Sequence, residues 1–304
     1  MNSNQTTHRQ SKVWLMAAIA APLAKAASVC SWPAVLALGS ITLLIGGCLT
    51  RFRSEHRPWV AVLQGLWGSV VASELLFWCE DCWPGHENAK AAALILLVLC
   101  IWENCRGRQR GARIGCILIW PVAFLLGIIL LSAIPEIRLQ NLYPTWEMPD
   151  AALVTILLLP TVYTGQEKRM GIWGNVGLIC LACVVSVMTA GVLSPQVSST
   201  TETGLYELSR SISFFGVSQR LESLAAVGMT IGYFGSIGYL LSIPEEIPNR
   251  GRMVLAYGVL AGLLYTLDIR LDSRITAIGS ILVWVITPFL RGVKKYLGKS
   301  EKNA

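Results

Sequence analysis

Cys79, Glu80, Asp81 and Cys82 form a CEDC run, with His86 four residues beyond it. Two thiols at C-x2-C spacing suit a disulfide, a redox pair or one half of a zinc site. A closed zinc site needs a second pair of ligands, and the alternative is cysteines that simply sit at a membrane rim. The other seven of the nine cysteines, including Cys180 and Cys183, lie in apolar surroundings and read as small packing residues. Glu74, in SVVASELLFWC, is an ionisable group within an apolar run. Placing such a group at membrane depth costs roughly 2.5–3.5 kcal/mol on insertion scales, which by default marks function. The alternative is that Glu74 lies close enough to the outer rim to meet water. Lys25, in AAIAAPLAKAASVCSWP, follows Pro22 by three residues. Either it is a cation just beyond a proline break, or it snorkels to the outer surface. Glu103 with Arg106 reads as an interfacial ion pair. No His, Asp and Glu constellation converges within the apolar runs, so no enzyme, cofactor or metal is expected.

The elements that must position these residues follow from composition. Hydrophobic residues make up 54% of the 304 and charged residues only 14%, and the mean hydropathy is +0.55. Soluble domains carry about 25% charged residues, so a chain this apolar takes the bilayer as its solvent. Runs of roughly 17–25 apolar residues are the relevant unit. Ten are found, near 13–30, 33–50, 58–79, 89–105, 112–133, 150–166, 171–194, 221–243, 251–267 and 275–290. The first is preceded by Arg9 and Lys12, as in a signal peptide, but the apolar runs behind it favour an uncleaved span. The expectation is an all-α polytopic membrane protein with a cytoplasmic tail over 1–12, one membrane domain over 13–290 and a basic cytoplasmic tail over 291–304.

Charge sets the orientation. With the N-terminus inside, 18 of the 25 Lys and Arg residues fall in inner segments, including the cluster from Arg106 to Arg113 and that from Arg291 to Lys302. Only Lys90, Arg138, Arg210, Arg220, Arg270 and Arg274 fall outside, as the positive-inside rule requires. The net charge of +7 is thereby assigned to topology and to anionic lipid rather than to nucleic acid. No P-loop, dinucleotide-binding turn or zinc-hydrolase helix motif is present.

The sixth run is entered through YPTWEMPD, with Pro144 and Pro149, and ends near Pro160 and Gly165. This punctuation suits a discontinuous helix, the alternative being a proline kink. Transporters built from inverted repeats place broken helices at corresponding positions of their two halves, around a midplane ligand site. In a five-plus-five arrangement, runs one and six correspond. The expected lining is Pro22 and Ala24 at the first break, Glu74 on run three, Asp150 and Thr155 at the start of run six, and Tyr233 on run eight. The expected ligand is zwitterionic, its carboxylate at a helix N-terminus and its ammonium near carbonyls or a carboxylate.

A long polar connection, LYELSRSISFFGVSQRLES at 205–223, carries Glu207, Arg210, Arg220 and Glu222 among aromatic residues. It is expected to be an ordered outer element, with Glu207 and Arg210 an i,i+3 pair and with Ile212, Phe214 and Phe215 toward the membrane interface. The stretch resembles the segment before the eighth membrane helix of the B subunits of spore germinant receptors. That family belongs to the amino acid–polyamine–organocation superfamily. The residues that carry the resemblance are Glu207, Arg210, Ile212 and the Arg220-Leu221-Glu222 opening of the helix. Asn141, Leu142 and Pro144, in PEIRLQNLYPTW, match the segment after the family's fifth helix. Pro22, Ala24, Lys25 and Trp32 match its first helix and turn. The resemblance implies a LeuT-like five-plus-five fold with helices 1 and 6 short or broken. It also implies a germinant ligand, an amino acid or a nucleoside, and A-type and C-type receptor subunits as partners in the cell membrane or spore inner membrane. The chain departs from the family by being shorter before Pro22 and between Pro144 and Asp150, where the first halves of the two broken helices would lie. An amino acid secondary transporter and a non-transporting scaffold are the competing readings.

Overall fold

The computed structural model describes residues 19–49, 58–83, 88–106, 108–142, 172–201, 203–212, 221–242, 250–287 and 289. Both expected tails and the run at 150–166 lie outside the described residues. The described part is helical, without a strand among those residues. Helix α1 covers 19–28 and turns directly into α2 (Trp32–Leu49). Then follow α3 (Pro58–Asp81), α4 (Ala89–Cys105), α5 (Arg108–Ala133) and two 3-10 turns at Ile134–Glu136 and Leu139–Leu142. Beyond the undescribed segment come α6 (Ile172–Leu193), α7 (Pro195–Thr200), α8 (Gly204–Ser211), α9 (Leu221–Ser242), α10 (Arg250–Thr266) and α11 (Ser273–Ile281), which runs on into a π turn at Leu282–Ile286.

Proline and short polar side chains set several boundaries. Pro58 opens α3 and Pro195 opens α7, where a missing backbone N–H breaks no helical bond. Ser194 caps α7 by accepting from the Val197 N–H, and Asp272 caps α11 by accepting from the Arg274 N–H at 2.8 Å.

Trp59–Asp81, Trp173–Leu193 and Leu221–Ser242 are long and apolar enough to cross a bilayer. Large apolar side chains stand outward on several helices: Trp120 and Phe124 on α5, Trp173 on α6 and Ile95 on α4. In water such a surface would be an aggregation liability. Around a bilayer-spanning bundle it is the lipid-facing shell.

The centre of the bundle is α9, which packs against α3, α4, α5 and α8. Its sequence explains this position. Gly228, Gly232, Gly235 and Gly238 recur every three or four residues and are all buried, which lets neighbouring backbones approach without a hydrophobic driving force between helices. α10 lies against α3 and α4, and α2 lies against α6. α1 is the other buried element: every residue from Ala21 to Cys30 is buried. Its small residues again allow close approach, with Ala21 against Gly232 of α9 and Ser28 against Gly204 of α8.

Candidate functional site

Lys25 is the charged residue that α1 carries into the core. Its side chain is only 6% exposed as a residue. Nζ donates to Asp81 Oδ2 at 3.1 Å, and the ammonium stands 5.0 Å from the centre of the Trp78 ring. Asp81 is the last residue of α3, and Trp78 precedes it by one turn. A buried ammonium requires a counter-charge, and an aromatic face adds attraction. Neither alternative for Lys25 holds: it does not snorkel out, and α1 runs through Pro22 without a break from 19 to 28.

Lys25 forms one wall of a pocket completed by Cys82, Thr203, Leu205 and Tyr206 around α8, and by Ala225, Ala226 and Met229 on α9. Its free space is about 10 Å³, room for roughly one water. Next to it lies Tyr233, fully buried, its hydroxyl beside the Cys82 thiol and without a hydrogen-bond partner of good geometry. On the same flank, Trp83 Nε1 donates to Thr230 Oγ1 at 3.0 Å, tying the end of α3 to α9.

Of the expected lining residues, Pro22 and Ala24 are buried in α1, Glu74 is on α3, and Tyr233 is on α9. Glu74 Oε1 accepts the Leu271 N–H at 3.0 Å, and the Arg270 charge is nearby. Glu74 therefore anchors the α10–α11 connection. Around it, Tyr265 donates to Glu80 Oε2 at 2.6 Å, Arg270 lies over the Phe77 ring, and Phe77 and Tyr265 pack with ring centroids 4.8 Å apart. Asp150, Thr155, Arg220 and His86 lie outside the described residues.

Glu207 and Arg210 fall within α8, so their i,i+3 spacing is realised on a helix. The acid sits in its first turn and the base in its last, as the helix dipole favours. Glu222 stands in the first turn of α9. Burial first, and then the Glu222 carboxylate, push the Tyr206 hydroxyl above its ordinary pKa, which makes α8 and the start of α9 electrostatic neighbours. One expectation is corrected. Ile212 does not face a membrane interface: it is 1% exposed and belongs to the main core. The apolar side of α8, with Leu205 and Leu208, points into the bundle and packs on α6 and α9. Phe214 and Phe215 lie outside the described residues. Cys79 and Cys82 are free thiols, the latter's Sγ donating to the Trp78 carbonyl at 3.2 Å. Among the described residues no three His, Cys, Asp or Glu side chains converge to hold a metal ion.

Asp81 is the residue that sequence reasoning passed over. It was hidden inside CEDC, where the cysteines drew the attention. A signal did exist: Lys25 and Asp81 close the first and third apolar runs at the same membrane level, so one could neutralise the other.

No protein family and no curated protein sequence matches this chain. Among solved structures, MhsT in complex with L-phenylalanine is similar over 93% of this chain and 87% of that one, with a TM-score of 0.56 at 14% sequence identity. The chain is therefore an all-α polytopic membrane protein of the LeuT-like fold.

Proposed function

We propose that this chain is a permease-like membrane subunit of a spore germinant receptor that senses or transports a small amino acid or a related germinant. The observation that carries the amino-acid part is the fold shared with MhsT, whose structure holds L-phenylalanine. The germinant-receptor part rests on the residues at 205–222, where Glu207, Arg210 and Glu222 occupy two helices beside the pocket. Pro22, Ala24, Glu74 and Tyr233, with Asp150 and Thr155, are the proposed ligand-lining set. In this reading the Asp81 end of the bundle faces outward, both termini are cytoplasmic, and A-type and C-type subunits assemble with the chain.

A second reading, an autonomous secondary transporter of an amino acid, is favoured by the same likeness to MhsT. Affinity isolation of the tagged chain from native membranes separates the two. Co-purification with A-type and C-type subunits is expected. Isolation of the chain alone, together with amino acid uptake when reconstituted alone into proteoliposomes, would overturn the receptor reading in favour of the transporter.

A further inference from the structure

Resting on the amino-acid reading above, we propose that Lys25 and Asp81 are the zwitterion-recognising pair of the ligand site. On binding, the ligand's carboxylate takes Lys25 and its ammonium takes Asp81, so the internal ion pair is exchanged for two ion pairs to the ligand.

The geometry supports this in three ways. An ammonium has three donors, and Lys25 Nζ spends one on Asp81, with the Trp78 ring on another side. No further acceptor meets it among the described residues, although it is 94% buried by its 6% exposure. Lys25 also forms part of the pocket wall, and Asp81 directly precedes Cys82, which forms another part. Asp81 retains lone pairs and is 22% exposed at its side chain, so it can accept an ammonium without leaving its place at the end of α3. Among the remaining walls Thr203 and Tyr206 carry hydroxyls, while Leu205, Ala225, Ala226 and Met229 are apolar and suit a small aliphatic side chain.

Charge balance then sets the ligand class. The pair is neutral as it stands, and a zwitterion is neutral. The exchange leaves no buried charge unpaired and needs no accompanying ion. A ligand with only an amine would leave Lys25 without a partner, and one with only a carboxylate would strand Asp81. Leaving a buried charge unpaired is strongly destabilising, so the site rejects both. The free space of about 10 Å³ is smaller than an amino acid. The flexible four-carbon stem of Lys25 and the half-buried Tyr206 are the parts that must yield to admit a ligand.

The test uses the full-length protein purified in detergent, with binding read by thermal shift and by isothermal titration. The probes are glycine, L-alanine, L-serine, L-valine and L-phenylalanine, each compared with its amide and its N-acetyl derivative. Wild type is expected to be stabilised by at least one free amino acid and by neither derivative of it. Lys25→Met and Asp81→Asn should each weaken that binding at least tenfold. Because a single change strands a buried charge and can prevent folding, the double variant Lys25→Met/Asp81→Asn is the decisive protein. It should melt near wild type and bind none of the probes. If the double variant binds the amino acid as tightly as wild type, or if the amide or the N-acetyl derivative binds as well as its parent, the pair is not the recognition element, while the amino-acid reading stands. If no amino acid binds wild type, both fail together.

Discussion

Gly232 of α9 lies so close to Ala21 of α1 that a Cβ placed on the glycine would overlap the alanine Cβ. Non-bonded carbon atoms do not tolerate such an overlap, so the two helices are in register only because position 232 has no side chain. Gly232→Ala should therefore force α1 and α9 apart and lower stability by about 1–3 kcal/mol, the usual range for overpacking. Detergent melting of the purified protein checks this. Ala21→Gly in the same chain should restore much of the loss, and a Gly232→Ala protein that melts like wild type would show that the helices are not in contact there.

A second contact ties α10 to α3. The Tyr265 hydroxyl, on a fully buried side chain, donates to Glu80 at 2.6 Å. Tyr265→Phe should cost about 1.5–3 kcal/mol, as expected for a hydrogen bond to a charged group. A double-mutant cycle with Glu80→Gln is expected to show coupling, since each change removes the same interaction. Strictly additive losses would mean that the two residues act independently.

Cys82 reports on the pocket that it lines. Burial pushes its thiol up to about 11, even though the nearby Lys25 charge pulls the other way. The thiolate is the reactive form, so a variant keeping Cys82 as its sole cysteine should react slowly with a maleimide at pH 7. The raised value delays ionisation, and the rate should therefore keep rising about tenfold per pH unit past pH 9. An accessible thiol would level off near its ordinary pKa of about 8.5. A plateau below pH 9 would contradict the burial of Cys82.

The orientation inferred from charge predicts that single cysteines introduced beside Arg108 and Lys295 react with an impermeant reagent only after the membrane is opened. Labelling of either site from outside intact cells would reverse the assignment of the Asp81 end as the outer one.

The fold was legible in the sequence because a bilayer imposes long apolar runs and a charge asymmetry, both of which survive without knowledge of packing. Hence α3, α6 and α9 fall within one or two residues of the runs at 58–79, 171–194 and 221–243. The site was less legible, because it depends on pairings across distant parts of the chain. Lys25 and Asp81 are 56 residues apart, and nothing local to either says which of several carboxylates will neutralise the lysine. Glu74 stood out as a charge within an apolar run, yet what holds its Oε1 is a backbone N–H at Leu271, a kind of partner that no side-chain pattern advertises. Ile212, with Phe214 and Phe215, is expected at the membrane interface because it lies in a long polar and aromatic connection read as an outer element. α8 ends in extended backbone at Ile212, whose side chain joins the core. The discontinuous helix expected near Asp150 and Thr155 lies outside the described residues.

Saturable binding of a radiolabelled small L-amino acid to the purified full-length protein, measured by scintillation proximity across a panel of amino acids and nucleosides, tests the central claim most directly. The account predicts that at least one amino acid binds saturably, is displaced by its unlabelled form, and binds more weakly to Tyr233→Phe. Absence of saturable binding by every member of the panel would contradict it and leave a LeuT-like scaffold without a ligand.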